Sequence, residues 1–219
     1  MTVRYGPRAL TILEVSERFP FSLTCLSIHG WPGTFFPVGT ENWVMRGFFP
    51  GRFQPFHRGH RAFVEQVASE VDEVVVGIGS AQASHTGRNP FTAGERVSMI
   101  HAAIEDVEAP TYVIPIEDID RYSLWPAHVQ SLCPAFQAIY TNNPLVGRVC
   151  REAGLDVRGV DLVDRDRFRG TEIRRRMVED EPWRDLVPDG TAEAIDDVDG
   201  VTRLRRIVEH DQHAIDGSP

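Results

Sequence analysis

From Met45 onward the chain alternates between two hydrophobic patterns. Apolar, β-branched and aromatic runs without polar alternation occur at 46–50 (RGFFP), 73–79 (EVVVGIG), 111–116 (TYVIPI), 136–141 (FQAIYT) and 156–163 (DVRGVDLV). Such runs predict strands covered on both faces, as in a parallel sheet. Between and after them the pattern becomes helical over 59–70, 92–106, 124–132, 144–153, 171–180 and 191–209. Strands alternating with helices predict βαβ units. The expected fold class is α/β, a doubly wound parallel sheet of about five strands with helices on both faces and a C-terminal helical segment. Thr92-Ala-Gly-Glu95 has the spacing of a capping box, which opens the second helix.

Residues 1–44 follow neither pattern. The segment is rich in aromatic, glycine and proline residues (HGWPGTFFPVG), and its three arginines balance its three glutamates. It is expected to be a poorly ordered extension, with Met45, which leads straight into a strand, as the native start. Residues 45–209 are expected to form the domain, and 210–219 a disordered tail.

The formal charge of −9 therefore sits in residues 45–219. This acidic balance argues against a general nucleic-acid binder. All 23 basic residues are arginine. Without lysine there is no Schiff-base lysine and no phosphate-binding lysine of the Walker type. A lysine-free acidic surface suits a cytoplasm of high salt, or a high-GC genome. Cys25, Cys133 and Cys150 lack metal-type spacing and read as reduced thiols in a cytoplasmic protein. No apolar run approaches the ~18 residues of a membrane span, and Glu14 interrupts the short apolar run near the N-terminus, which lacks the form of a signal peptide.

Three stretches carry chemistry. The first is GRFQPFHRGH, residues 51–60, where the first strand gives way to a helix. His57 and His60 lie three apart and share a face at the helix start. Gly51 lets the backbone approach a ligand, and Pro55 fixes the turn. A helix N-terminus favours anions, so phosphate is the expected ligand rather than metal, for which no third side chain is near. The second stretch is RDRFRGTEIRRRM, residues 165–177, which holds six arginines. Thr171 is the expected N-cap of its helix. Arginines in a first turn oppose the helix dipole unless an anion binds there. Thr171 and Arg174 are the expected phosphate contacts, with Ile173 and Met177 facing the core and Arg175 and Arg176 on a solvated face. The third stretch is GIGSAQASHTGRNPFTAGER, residues 77–96, where Arg88 could fold over a triphosphate and His85 reads as a loop residue.

GRFQPFHRGH carries the GxFxPxHxGH form of the signature shared by the nucleotidylyltransferase superfamily. RGTEIRRRM looks like that superfamily's C-terminal phosphate motif. With GSAQASHTGRNPFTAGER, YTNNPLV and EPWRDLVP in order, the chain resembles the archaeal-type nicotinamide-nucleotide adenylyltransferase family from about Met45 to about Val208. The resemblance implies a Rossmann-like sheet and the reaction of ATP with nicotinamide mononucleotide to give NAD and pyrophosphate. Nicotinate mononucleotide is the alternative acceptor. Mg²⁺ would arrive with ATP, and no protein metal site is implied. Gly51, Arg52, His57, His60, Arg88, Thr171 and Arg174 would hold the ATP phosphates, with His57, His60, Arg52 and Arg174 catalytic. Trp125 would stack on the nicotinamide ring and Ile119 would line its pocket. The resemblance also implies a homo-oligomer, a hexamer, with no nucleic-acid or membrane partner. Two departures stand out. Arg169 replaces a serine of the phosphate motif, and Tyr122 stands where relatives often have asparagine, which leaves the choice between nicotinamide and nicotinate open. A pantetheine-phosphate adenylyltransferase shares the first signature. A non-catalytic nucleotide sensor could dispense with His60 and Arg174, and both are present.

Overall fold

A computed structural model describes residues 44–160 and 167–215, and expectations for the other residues lie outside the described ones. The strands are β1 (Arg46–Gly51), β2 (Glu73–Ile78), β3 (Thr111–Pro115), β4 (Ala138–Tyr140) and β5 (Asp156–Arg158). The helices are α1 (Arg58–Ala68), α2 (Ala93–Ala103), α3 (Trp125–Leu132), α4 (Pro144–Glu152), α5 (Gly170–Glu179), α6 (Asp189–Asp197) and α7 (Gly200–Ile215). The strands form one sheet in the order β3-β2-β1-β4-β5, and all its pairings are parallel. The first strand, β1, lies at the centre, and the sheet builds outward through β2 and β3, then continues on the other side of β1 with β4 and β5. The expected doubly wound, Rossmann-like sheet is observed, and its order reverses between β1 and β4.

Strand periodicity explains why the sheet is covered twice. Phe48 is in register with Val75 and with Ile139. These three pack with Val129 of α3 and Cys150 of α4 on one face. Their neighbours Phe49, Val74, Val76 and Tyr140 join the other face, with Phe63 of α1, Met99 of α2, Ile173 of α5 and Leu204 of α7. Each such fully buried side chain contributes about 1.5–3 kcal/mol of apolar transfer energy. The Thr92 capping box forms as expected, with Thr92 Oγ1 accepting from Glu95 N–H and the Glu95 carboxylate accepting from Thr92 N–H.

Three expectations are corrected. β4 and β5 are shorter than their apolar runs. After Tyr140 and Arg158 the Asn142 side chain takes over from the ladder, accepting from Val160 N–H and donating to Val160 O at 2.6 Å. The helix expected over 191–209 is two helices. Asp199 turns left-handed at φ 49°, and Gly200 restarts the chain where a Cβ would lie 2.7 Å from the Phe91 ring. Finally, α7 continues to Ile215, so residues 210–215 are helical where a disordered tail was expected.

Candidate active site

In an open α/β sheet, ligands bind outside the carboxyl ends of the strands where the order reverses. Here those ends are Gly51 of β1 and the Thr141–Asn143 segment that follows β4. Two cavities meet there, with Asn143 on the wall of both. One, of about 400 Å³, is lined by Arg52, Ser80, Arg88, Asp118, Ile119 and Trp125 among others. The other, of about 600 Å³, is lined by His57, His60, Asn142, Phe168 and Arg169.

The two histidines form a reciprocal cap on α1. His57 is the N-cap, and its Nδ1 accepts from His60 N–H at 3.2 Å. His60 Nδ1 in turn accepts from His57 N–H at 3.3 Å. A ring nitrogen that accepts carries no proton, so both imidazoles are assigned as the neutral tautomer with the proton on Nε2. The rings stack, 3.5 Å between centroids and 13° between planes. Burial lowers the His57 pKa to about 4, and burial followed by the neighbouring His57 holds His60 well below 6.5. Two neutral Nε2–H donors therefore belong to side chains that line one cavity, with no proton to take up near pH 7.

This arrangement makes stability pH-dependent. An unfolded histidine takes up a proton below about pH 6.5, whereas folded His57 does so only near pH 4. In that window the unfolded state holds more protons, so the contribution is full above pH 6.5 and is lost as pH falls towards 4. From pH 7 to pH 5, His57 alone is expected to lower unfolding free energy by about 2 kcal/mol. Urea unfolding at the two pH values checks this, and an unchanged midpoint would contradict the buried neutral assignment.

The arginine-rich motif docks directly on the histidine loop. A Cβ on Gly170 would come within 2.9 Å of Gln54 O, so only glycine allows α5 to start this close. Arg174 donates from Nη1 to Gln54 O at 2.6 Å and from Nε to Gly87 O at 3.0 Å. It therefore ties the first and third motifs together. Burial first, then the Arg52 and Arg88 charges, lower its pKa to about 10, which still leaves it charged. Thr171 is not the N-cap. Arg169 holds that position and Gly170 begins the helix, so Thr171 is exposed in the first turn. Neither Thr171 nor Arg174 lines the two cavities, whereas Arg169 joins the histidines. Ile173 and Met177 are fully buried, as expected. Arg175 and Arg176 pair with Glu172 and neighbouring acids and face away from this chemistry. Arg165 lies outside the described residues.

The smaller cavity gathers the other expected residues. Arg52, Arg88, Ile119 and Trp125 line it, and so does the exposed Tyr122. The Arg52 pKa is lowered by burial and then by Arg88, with Asp118 opposing. The Arg88 charge acts to lower the Arg52 pKa, and the Arg52 and Arg88 charges act to lower that of Arg174, which marks a local excess of positive charge that an anion would relieve. Trp125 begins α3, its ring 6.3 Å from Phe48, and serves both core and cavity. Gly51 lines the cavity, and a Cβ there would strike the Phe53 ring at 2.6 Å, so packing alone requires glycine. His85 lies apart, in a separate cavity against α7. Cys133 and Cys150 are free thiols with pKa pushed up to about 11 by burial, which makes them unreactive. Among the described residues no group of three or more His, Cys, Asp or Glu side chains could hold a metal ion. No described helix is long and apolar enough to cross a membrane.

Sequence reasoning missed Gln54, Asn142, Asn143 and Asp118. The Gln54 side chain is buried and clasps Phe91 by both its N–H and its carbonyl, at 3.0 and 2.9 Å. The paired Asn142-Asn143 after an apolar run was the legible signal, since Asn143 also caps α4.

A family model described as cytidylyltransferase-like matches residues 48–176. A nicotinamide-nucleotide adenylyltransferase of Halorubrum lacusprofundi is 55% identical over 167 residues, 76% of this chain and 95% of that protein. The same-named protein of Methanosarcina acetivorans is 52% identical over 170 residues, 78% of this chain and 98% of the other. Among solved structures, a bifunctional NMN adenylyltransferase/ADP ribose pyrophosphatase of Francisella tularensis, complexed with AMP and a manganese ion, is similar with a TM-score of 0.63 at 21% identity. That match covers 79% of this chain and 54% of the longer one, and it supports the fold. With the signature motifs, the sheet order and close relatives across most of its length in agreement, the chain belongs to the nicotinamide-nucleotide adenylyltransferase family.

Proposed function

We propose that the protein transfers the adenylyl group of ATP to the 5′-phosphate of nicotinamide mononucleotide, forming NAD. An oxygen of the mononucleotide phosphate attacks the α-phosphorus in line. The bond from that phosphorus to the bridging oxygen breaks, and pyrophosphate leaves with the electron pair. The nucleophile is already an anion at neutral pH, so no general base is needed. Catalysis is then positioning and charge stabilisation.

The observation that carries this reading is the pair of neutral Nε2–H donors in one cavity, with Arg52 and Arg88 in the cavity that meets it at Asn143, where the sheet order reverses. His60 and His57 would donate to the α-phosphoryl oxygens, where charge grows in the transition state. Arg52, Arg88 and Arg174 would hold the β- and γ-phosphates and the departing pyrophosphate, with the N-terminus of α5 at Gly170 contributing its dipole. Arg174 uses Nε and Nη1 on carbonyls, which leaves Nη2 to meet phosphate. Among the described residues the cleft offers Asp118 and Asp120 but no cage of ligands. This suits Mg²⁺ carried by the ATP phosphates and water, where it would neutralise phosphate charge.

Trp125 and Ile119 would hold the nicotinamide ring. Nicotinate mononucleotide is proposed as a slower acceptor, because its carboxylate would enter a cavity lined by Asp118 and Asp120 on either side of Ile119. Trp125→Ala is expected to raise KM for the mononucleotide about tenfold, the scale of one lost aromatic stack, with KM for ATP unchanged. Equal rises for both substrates would assign Trp125 to packing against Phe48 instead. Pyrophosphate release measured in parallel with nicotinamide mononucleotide, nicotinate mononucleotide and pantetheine phosphate tests the acceptor. Fastest turnover on pantetheine phosphate would overturn the proposal. The family resemblance also underlies a homo-oligomeric assembly, proposed as a hexamer.

A further inference from the structure

Arg96 is fully buried, at 0% exposure, and is the largest such side chain of the described residues. Its guanidinium makes no hydrogen bond to a carboxylate. Nη1 donates to Arg52 O and to Gly79 O, both at 2.9 Å, Nη2 to Ser80 O at 3.1 Å, and Nε to Thr92 O at 3.2 Å. Three of those carbonyls lie just past the carboxyl ends of β1 and β2, beneath the nucleotide cleft. An apolar side chain there would leave them unpaired in the core. A lysine would carry its donors on one atom and could not span them.

The same stretch of backbone is strained. Phe53 and Ser80 are left-handed, at φ 51° and 50°, without being glycine. Such residues persist where surrounding structure over-determines them. Arg96 holds the carbonyl before Phe53, and the carbonyls before and of Ser80. In a trans peptide the N–H points opposite to the C=O. Drawing Gly79 O inward therefore turns Ser80 N–H outward, where it meets Asp118 Oδ1 at 3.3 Å. Drawing Arg52 O inward likewise sets the backbone from which the Arg52 side chain enters the cleft.

We propose that Arg96 is a positioning residue for adenylyl transfer, a buried fork that fixes the floor of the cleft and so sets Arg52 and Asp118 against the nucleotides. It touches neither substrate and acts through those two residues. The proposal rests on the adenylyl-transfer reading. NAD formation by the wild-type protein in the same buffer tests that reading separately, so the variants speak only to Arg96.

The test compares Arg96→Lys with Arg203→Gln. Arg203 supports the same helix through a bidentate pair with Glu95, at 2.9 and 3.0 Å, but touches none of the floor carbonyls. Arg96→Lys is expected to lower kcat on the order of 10²-fold, the scale of a small misplacement of reacting groups. KM for the mononucleotide should stay within about threefold, as for an interaction realised in the transition state. Arg203→Gln is expected to lower the thermal midpoint while keeping kcat within about threefold. A kcat for Arg96→Lys within threefold of wild type would overturn the proposal, as would an equal kcat loss in Arg203→Gln. Arg96→Gln, which keeps two donors, replaces the lysine variant if that cannot be purified. Failure of both Arg96 variants to fold, with Arg203→Gln folded, would make Arg96 a core residue alone and overturn it too.

Discussion

His60→Ala is expected to lower kcat on the order of 10²-fold or more, the scale of losing one donor aimed at developing charge. His60 Nδ1 is committed to His57 N–H, so the ring is held and its Nε2–H is the free donor. That donor is aligned before substrate arrives, because the stack on His57, the edge-on contact with Phe53 and the tilted contact with Phe56 leave the ring little freedom. The charge it meets grows on the α-phosphoryl oxygens only as the bond to the bridging oxygen breaks. KM for ATP should therefore change much less than kcat. Loss of half the reciprocal cap is expected to cost about 1 kcal/mol of stability, small enough for the variant to be assayed well below its midpoint. His60→Gln, which keeps an N–H donor, should recover part of the rate. Steady-state kinetics on the folded variants check this, and an unchanged kcat in His60→Ala would assign His60 to packing among Phe49, Phe53 and Phe56.

Arg174→Ala is expected to lower kcat/KM for ATP by about 10²–10³-fold, the range seen when a fixed transition-state donor is removed. The variant would remove a cation from the phosphate cluster. It would also unlatch Gly87 from Gln54, which frees the loop bearing Arg88 from the loop bearing the histidines. Arg174→Lys should not restore the rate. Its charge remains, but a single ammonium cannot reach two carbonyls that the planar fork spans. ATP titrations on both variants separate the two roles. Full activity in Arg174→Lys would mean that charge alone matters and that the bridge is incidental.

How legible these features were depends on whether their cause is local. β1 and β2 were read within a residue because burial on both faces makes their apolar runs continuous. The N-cap of α5 lies at Arg169, two residues before the expected Thr171. The Gly170-Thr171 pair looks like a cap from sequence, but the close approach of Gln54 O decides the start. The break between α6 and α7 passes unnoticed because a single left-handed Asp199 hardly disturbs the apolar period. The histidines and arginines of the site were legible as motifs. Their junction was not, since Gln54 and Arg174 are 120 residues apart. Arg96 sits three and four residues before Met99 and Ile100, on the buried stripe of α2. An arginine in that position is normally read as surface, and only the ring of carbonyls around it explains its burial.

The most direct test of the account is to follow the label from ATP carrying ³²P at the α-phosphate, mixed with the protein, Mg²⁺ and nicotinamide mononucleotide over a wide range of salt. The account predicts label in NAD, with one pyrophosphate released for each NAD formed and no label transferred when the mononucleotide is omitted. No labelled NAD at any salt concentration, or label accumulating as AMP, would contradict it.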